Sequence, residues 1–262
     1  PVFATLNATS YPAGAMPTLV AFTRALVDEH GVAGVIVAEL ELVLALREAG
    51  LAGRVHVSSL ATCRNPGAAA FWRRLGVTRV ILPRHVTLAE IGAIAAAGIA
   101  CEVFLLNDGC AFEEGTCSTT HAFRPFCMDD RVGDGTRLDE RYAFWRWTLD
   151  NCGSRVSRGY TLGPCGLCAL PRLAALGVES LKVVGREAPL GRKVASVRLA
   201  AMALAVADAG GTREAIRDAV VAARGAAQLC EGAHLCYYPD VWADVLPPPR
   251  PARRVVPLVA AP

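Results

Sequence analysis

RVILPRHVTLAEIGAIAAAGIACEVFLLN, from Arg79 to Asn107, reads as a strand, a helix and a second strand in immediate succession. RVILPR (Arg79–Arg84) and IACEVFLLN (Ile99–Asn107) are short, almost continuously apolar runs. The segment between them, LAEIGAIAAAG, has helical periodicity and stops at Gly98, as a helix closed by a left-handed residue requires. Such runs separated by helices specify parallel strands covered on both faces. The same unit repeats outward. Strands are expected at Pro1–Ala8, Gly34–Glu39, Arg54–Ser59 and Leu181–Arg186. Helices are expected over MPTLVAFTRALVDEH, Leu40–Ala49, Pro66–Leu75 and CALPRLAALG, with Gly31, Gly50, Gly76 and Gly177 closing helices in turn.

Six such strands fit a doubly wound sheet or part of a (β/α) barrel. The barrel is preferred because the strands end in polar residues suited to one shared rim: Asn7, Glu39, Ser58, Ser59, Arg84, His85, Asn107, Asp108 and Arg186. Barrel enzymes place their ligand and catalytic groups there. The expected fold is therefore α/β, a TIM-barrel-like (β/α) barrel, with about two strands to be sought before Pro1. Residues 1–187 form this partial barrel with its Cys-rich loop. Residues 188–246 read as a C-terminal helical extension built on Pro189–Ala209 and Thr212–Ala223, and residues 247–262 as a Pro-rich tail.

A net charge of +3 is too small to announce a nucleic-acid surface. No apolar run approaches the roughly 20 residues that span a bilayer. The nearest, VASVRLAAMALAVADAG, is interrupted by Arg198. No signal-peptide pattern follows Pro1, so a cytoplasmic location is expected. With 53% hydrophobic residues the chain can build a core without disulfide staples, which favours metal chemistry for its ten cysteines.

Those cysteines cluster. Cys110, Cys117 and Cys127 share the loop that leaves the Ile99–Asn107 strand, and GPCGLC supplies Cys165 and Cys168 before a helix. Thiolates on loops of a rigid scaffold suit an iron–sulfur cluster, with zinc as the alternative. Gly109 and Gly115 let the backbone turn around an inorganic core. Cys168, opening a helix, gains from the positive dipole end. Cys63 and Cys101 lie beside apolar runs and read as core residues. Cys230 and Cys236, with His234 between them, are either a second site or part of a terminal segment. His56 is either a core histidine or a base facing the barrel interior. Glu39, Arg84 and Arg186 are candidates to bind and orient a carboxylate-bearing donor, with rim salt bridges as the plainer role. HExxH and GxSxG are both absent from the sequence, which disfavours the commoner peptidase chemistries.

EVF, the Cys110-x6-Cys117 pair with a third loop cysteine, and LCALPRLAALGVESLKVVGRE together resemble the U32 family, long called collagenase-like peptidases. VFATLN, GVAGVIVAE, VHVSSLA and FWRRLGVTRVILPRHVTLAEI extend the resemblance upstream. It implies a [4Fe–4S] cluster held by Cys110, Cys117, Cys127 and Cys168. It also implies oxygen-independent hydroxylation, of ubiquinone precursors or of tRNA and rRNA bases, with prephenate as oxygen source in RNA modification. Proteolysis and a non-catalytic, cluster-bearing partner subunit are the alternatives, and a homologous partner chain could complete the site. The chain departs from the family pattern at Leu60, Leu106 and Val184, where members often carry Gln, His and Glu. An apolar side chain can neither donate a hydrogen bond nor move a proton.

Overall fold

A computed structural model of the chain describes residues 1–107, 164–185, 190–224, 230 and 236–243. Six strands alternate with helices through most of it: β1 (Phe3–Leu6), α1 (Met16–Asp28), β2 (Gly34–Val37), α2 (Leu40–Glu48), β3 (Val55–Val57), α3 (Pro66–Arg74), β4 (Arg79–Ile81), α4 (Leu88–Ala95) and β5 (Ala100–Leu106). After residue 163 come α5 (Leu170–Ala175), β6 (Ser180–Val183), α6 (Leu190–Asp208) and α7 (Arg213–Arg224). All six expected strands are present, within a few residues of their expected bounds. The glycines expected to close helices do so, with φ of 64° at Gly31, 76° at Gly50, 84° at Gly76, 74° at Gly98 and 78° at Gly177.

Every strand pairs in parallel with its neighbour in sequence, in the order β1-β2-β3-β4-β5-β6. Among the described residues the strand order never reverses, unlike a doubly wound sheet with its switch point. Right-handed crossovers repeated in one direction put the connecting helices on one face, as in the wall of a (β/α) barrel. Alternate strand residues divide accordingly. Val35, Val37, Val55, Val57, Val80, Cys101 and Val103 are buried with Leu42, Leu46, Trp72, Ile91 and Ile94 of the helices. The register aligns Ile36, His56 and Arg79 on the opposite face, together with Glu102 and Ser180.

Local chemistry starts the helices. Asn65 accepts from Ala68 N–H at 2.9 Å, and Thr87 and Glu90 form a reciprocal capping box on α4. The predicted helices at Pro189–Ala209 and Thr212–Ala223 are α6 and α7. Their buried residues Leu199, Ala203, Ile216 and Val220 pack with Leu105, Leu106, Cys165 and Leu167, forming a second core against the end of β5. Among the described residues no helix is long and apolar enough to cross a membrane.

Candidate functional site

The rim reading can be followed strand by strand. Glu39, just past β2, caps α2: its Oε2 accepts from Leu42 N–H at 2.8 Å, where a carboxylate also meets the positive end of the helix dipole. His56 in β3 is buried, with its ring 4.4 Å from that of Phe3. Burial, and then the charge of Arg79, push its pKa down against an upward pull from Glu102. The imidazole is therefore neutral at neutral pH. Glu102 accepts from Ser180 Oγ at 3.0 Å and Lys182 Nζ at 3.3 Å, with Arg79 at 4.0 Å. Arg79 and Ser180 open β4 and β6 and Glu102 is the third residue of β5, so most of these groups lie towards the N-terminal ends of the strands, where barrel residues serve stability. Arg84 follows β4 and stacks over the Phe104 ring at 5.0 Å, and Lys182 lies 5.9 Å from that ring's centre.

The end of β5 is built differently. Its pairing with β6 slips between Phe104 and Leu106, and the irregular backbone there meets two distant segments. Leu105 C=O accepts from Gly166 N–H at 2.8 Å, and Asn107 N–H donates to Pro164 C=O at 2.9 Å. Asn107, buried at φ 74°, donates from Nδ2 to Ser196 Oγ at 2.5 Å. Leu106 forms a bridge with Cys165, and Cys165 a parallel bridge with Cys236. Tyr237 N–H donates to Cys165 C=O at 3.1 Å. The Tyr238 hydroxyl, buried, donates to Phe104 C=O at 2.6 Å. Asp240 Oδ2 accepts from Leu88 N–H at 2.8 Å, and Arg213 donates to Val241 C=O while stacking on Trp242. Residues 236–243 are thus fastened to β5, α4 and α7.

This fastening gathers thiols. Burial raises the pKa of Cys165 and pushes Cys168 and Cys236 up to about 12. Neighbouring thiols add to each shift: Cys165, Cys236 and Cys230 act on Cys168, Cys165 and Cys230 act on Cys236, and Cys230 acts on Cys165. Arg224, buried, works the other way, by its charge and by a hydrogen bond to Cys165. Arg217 likewise lowers Cys168. Among the described residues, no three His, Cys, Asp or Glu side chains stand close enough to hold a metal ion. Cys168 also lines a cavity of about 590 Å³ with Leu88, Arg172, Thr212, Arg213 and Asp240.

Cys168 lies at the strand end from which the cysteine loop departs. Cys110, Cys117, Cys127 and Arg186 fall outside the described residues. Cys63 and Cys101, read from sequence as core, are fully buried under the sheet, and their thiols are pushed up by burial to about 12 and about 11. None of the six described cysteines is in a disulfide. The convergence of Cys165 with Cys230 and Cys236 was only half legible. C-x2-C and C-x5-C spacings were visible, but nothing local joined them, and Arg224 and Tyr238 carried no motif at all.

The sequence pattern described as Peptidase family U32 matches residues 1–234. A protein from Bacillus subtilis (strain 168), described as tRNA hydroxylation protein P1, is 25% identical over 174 residues, which is 63% of this chain and 40% of that protein. The solved structure of the U32 peptidase Mk0906 is 25% identical, over 40% of this chain and 45% of that one, with a TM-score of 0.34. The chain spans less than half the length of both.

Proposed function

Because this chain belongs to peptidase family U32, we propose that it is a hydroxylase-type redox enzyme that adds oxygen to an RNA base without using molecular oxygen. The observation that carries the reading is the similarity, at 25% identity over 174 residues, to a protein described as a tRNA hydroxylation protein. In this reading the six-stranded wall belongs to a TIM-type barrel, residues 188–246 are its helical extension, and the protein works in the cytoplasm, where free thiols persist.

In this reading a [4Fe–4S] cluster is held by Cys110, Cys117, Cys127 and Cys168, the set that the family resemblance implies; the first three lie outside the described residues, and Cys168 follows the end of β5 from which their loop departs. When bound it would supply one-electron or Lewis-acid chemistry at iron. The chain's own residues do the rest. Arg84, held over Phe104, presents a planar cation to a carboxylate-bearing oxygen donor such as prephenate. The cavity beside Cys168 admits a small molecule, and the apolar core under Cys165 keeps water from the thiols. His56, neutral and set below the rim, helps hold the barrel interior in this reading.

Proteolysis has less support, because among the described residues burial pushes the thiols of Cys63, Cys101, Cys165, Cys168 and Cys236 upward, away from the reactive thiolate that a cysteine nucleophile needs. A non-catalytic, cluster-bearing subunit is the second reading. It is favoured by Leu106, fully buried and apolar where the family resemblance implies a histidine.

The test is anaerobic incubation of the iron-loaded protein with unmodified tRNA and prephenate, followed by nucleoside mass spectrometry. One nucleoside should gain an oxygen. Arg84→Ala should keep the iron spectrum while raising the donor concentration needed for half-maximal activity. No oxygen transfer by a fully loaded protein, or cleavage of peptide substrates instead, overturns the proposal.

A further inference from the structure

We propose that the outer face of α6 is an interface between two copies of this chain, with the two helices packed antiparallel along one apolar stripe. The inference stands apart from the hydroxylase reading and from any metal.

Two opposite sides of α6 are apolar. Its inner side carries the buried residues Arg192, Ser196, Leu199, Ala200 and Ala203, and there the helix packs against α5, α7 and the turn at Leu167–Ala169. On the other side Leu190, Val194, Val197, Ala201 and Leu204 follow at spacings of four, three, four and three residues. That is the seam of a coiled coil, unlike the single apolar residues that any protein surface carries. All five are exposed, Leu190 to 76% and Val197 to 59%. The neighbouring helix α7 divides in the ordinary way, with Ile216 and Val220 buried and Glu214 and Asp218 in solvent. A helix that is apolar all round belongs in an interior, and one side of α6 lacks that cover. The helix has 19 residues, so the stripe runs for about 28 Å.

Charge selects the occupant. The exposed charges bordering the stripe are Lys193 and Arg198 in the first half of α6 and Asp208 at its last residue. A second α6 laid antiparallel brings its own Asp208, and the negative end of its dipole, beside Lys193, and the same contact recurs at the other end. A parallel copy would set like charge against like charge and dipole end against like end. The antiparallel register that closes the seam puts Val197 against Ala201 of the second copy and Val194 against Leu204. A small residue then meets a branched one at the centre, where the two backbones come closest. Arg198 lies beside the two-fold axis, where its stem covers apolar surface while its guanidinium turns to water. One patch meeting its own copy is an isologous contact, which closes at two chains and leaves no surface to propagate.

The experiment is sedimentation equilibrium of the full chain, under reducing conditions, across a series of concentrations. Wild type should reach twice the chain mass and dissociate on dilution. Val197→Asp, at an exposed position, should stay monomeric throughout while keeping the wild-type circular dichroism. Lys193→Glu and Asp208→Lys should each weaken the dimer by about tenfold, since each spoils two symmetry-related ion pairs, and the double variant should recover wild-type affinity. A benzophenone side chain introduced at Val197 should crosslink to the α6 segment around Ala201 of a second copy, read by peptide mass spectrometry. Wild type that is monomeric at every concentration overturns the proposal, and so does a dimer that survives Val197→Asp. Failure of the double charge exchange to restore affinity overturns the antiparallel pairing. A crosslink from position 197 to another segment of its own chain, or to another face of a second copy, identifies a different occupant and overturns it as well.

Discussion

Raising the pH should destabilise this protein through two thiols that take no part in the proposed site. Cys63 and Cys101 are fully buried against the helix-facing side of the sheet, and burial is the leading cause that pushes them to about 12 and about 11 from an ordinary 9.0. Between pH 9 and those values the unfolded chain has released these protons while the folded chain retains them. The unfolded state then binds fewer protons, so unfolding becomes easier as pH rises. At about pH 10 the ordinary thiol is some ten-elevenths ionised, which favours the unfolded chain by about 1.4 kcal/mol for each residue. At about pH 7.5 the contribution is negligible for both. Metal-free wild type should therefore lose about 3 kcal/mol more over that interval than the Cys63→Ala, Cys101→Ala double variant. Urea unfolding of both proteins at the two pH values measures it. Lysines and tyrosines titrate in both and cancel in the difference. Equal pH dependences would show that these thiols ionise as freely in the folded chain as in the unfolded one, and would refute the argument.

Tyr238→Phe removes a buried hydroxyl from Phe104 C=O at 2.6 Å and should cost about 1–3 kcal/mol in urea unfolding, with faster proteolysis near residues 236–243; unchanged values in both assays would detach Tyr238 from this role. Gly34→Ala places a Cβ 2.3 Å from Arg54 C=O, a backbone atom that cannot swing aside, so a loss of about 1–3 kcal/mol or more is expected, and a melting temperature within error of wild type would contradict the β2–β3 geometry. In metal-free protein at about pH 8, alkylation should mark exposed Cys230 well before Cys168 and Cys236, whose thiols burial pushes up to about 12; peptide mass spectrometry over time gives the order, and simultaneous labelling would mean the segment is not docked.

The strands were legible because their signals are local. GVIV, VHV and RVI are apolar runs whose helices end at glycines with positive φ, and each can be read within its own few residues. Rim duties were harder to read, since a polar residue after a strand looks the same whether it binds a substrate or caps a helix, as Glu39 does. The thiol group needed tertiary knowledge. Cys165 and Cys236 meet beside the point where β5 slips register between Phe104 and Leu106, and no glycine or proline marks that slip in FLL. Arg224 looks like an ordinary basic residue ending a helix, favourable to the dipole, until its burial beside Cys165 becomes visible.

The departures from the family pattern then acquire a physical setting. Leu106 is one of the positions at which the chain departs from the pattern that its resemblance implies, and in sequence it reads as a lost proton carrier. In the structure it is fully buried in the same apolar cluster as Cys165, Leu167 and Leu199, and it forms a bridge with Cys165 itself. A histidine there would put a polar ring into that wall with a burial cost to offset. Leucine instead excludes water from the side of the thiol group that faces the core, and solvent exclusion is one of the levers that set a cluster's potential. Leu106→His should therefore lower the stability of the metal-free protein, and in the reconstituted one it should shift the reduction potential upward by admitting water and partial positive charge. Potentiometry on matched wild-type and Leu106→His preparations decides it, and an unmoved potential in a well-folded variant would separate the leucine from the cluster.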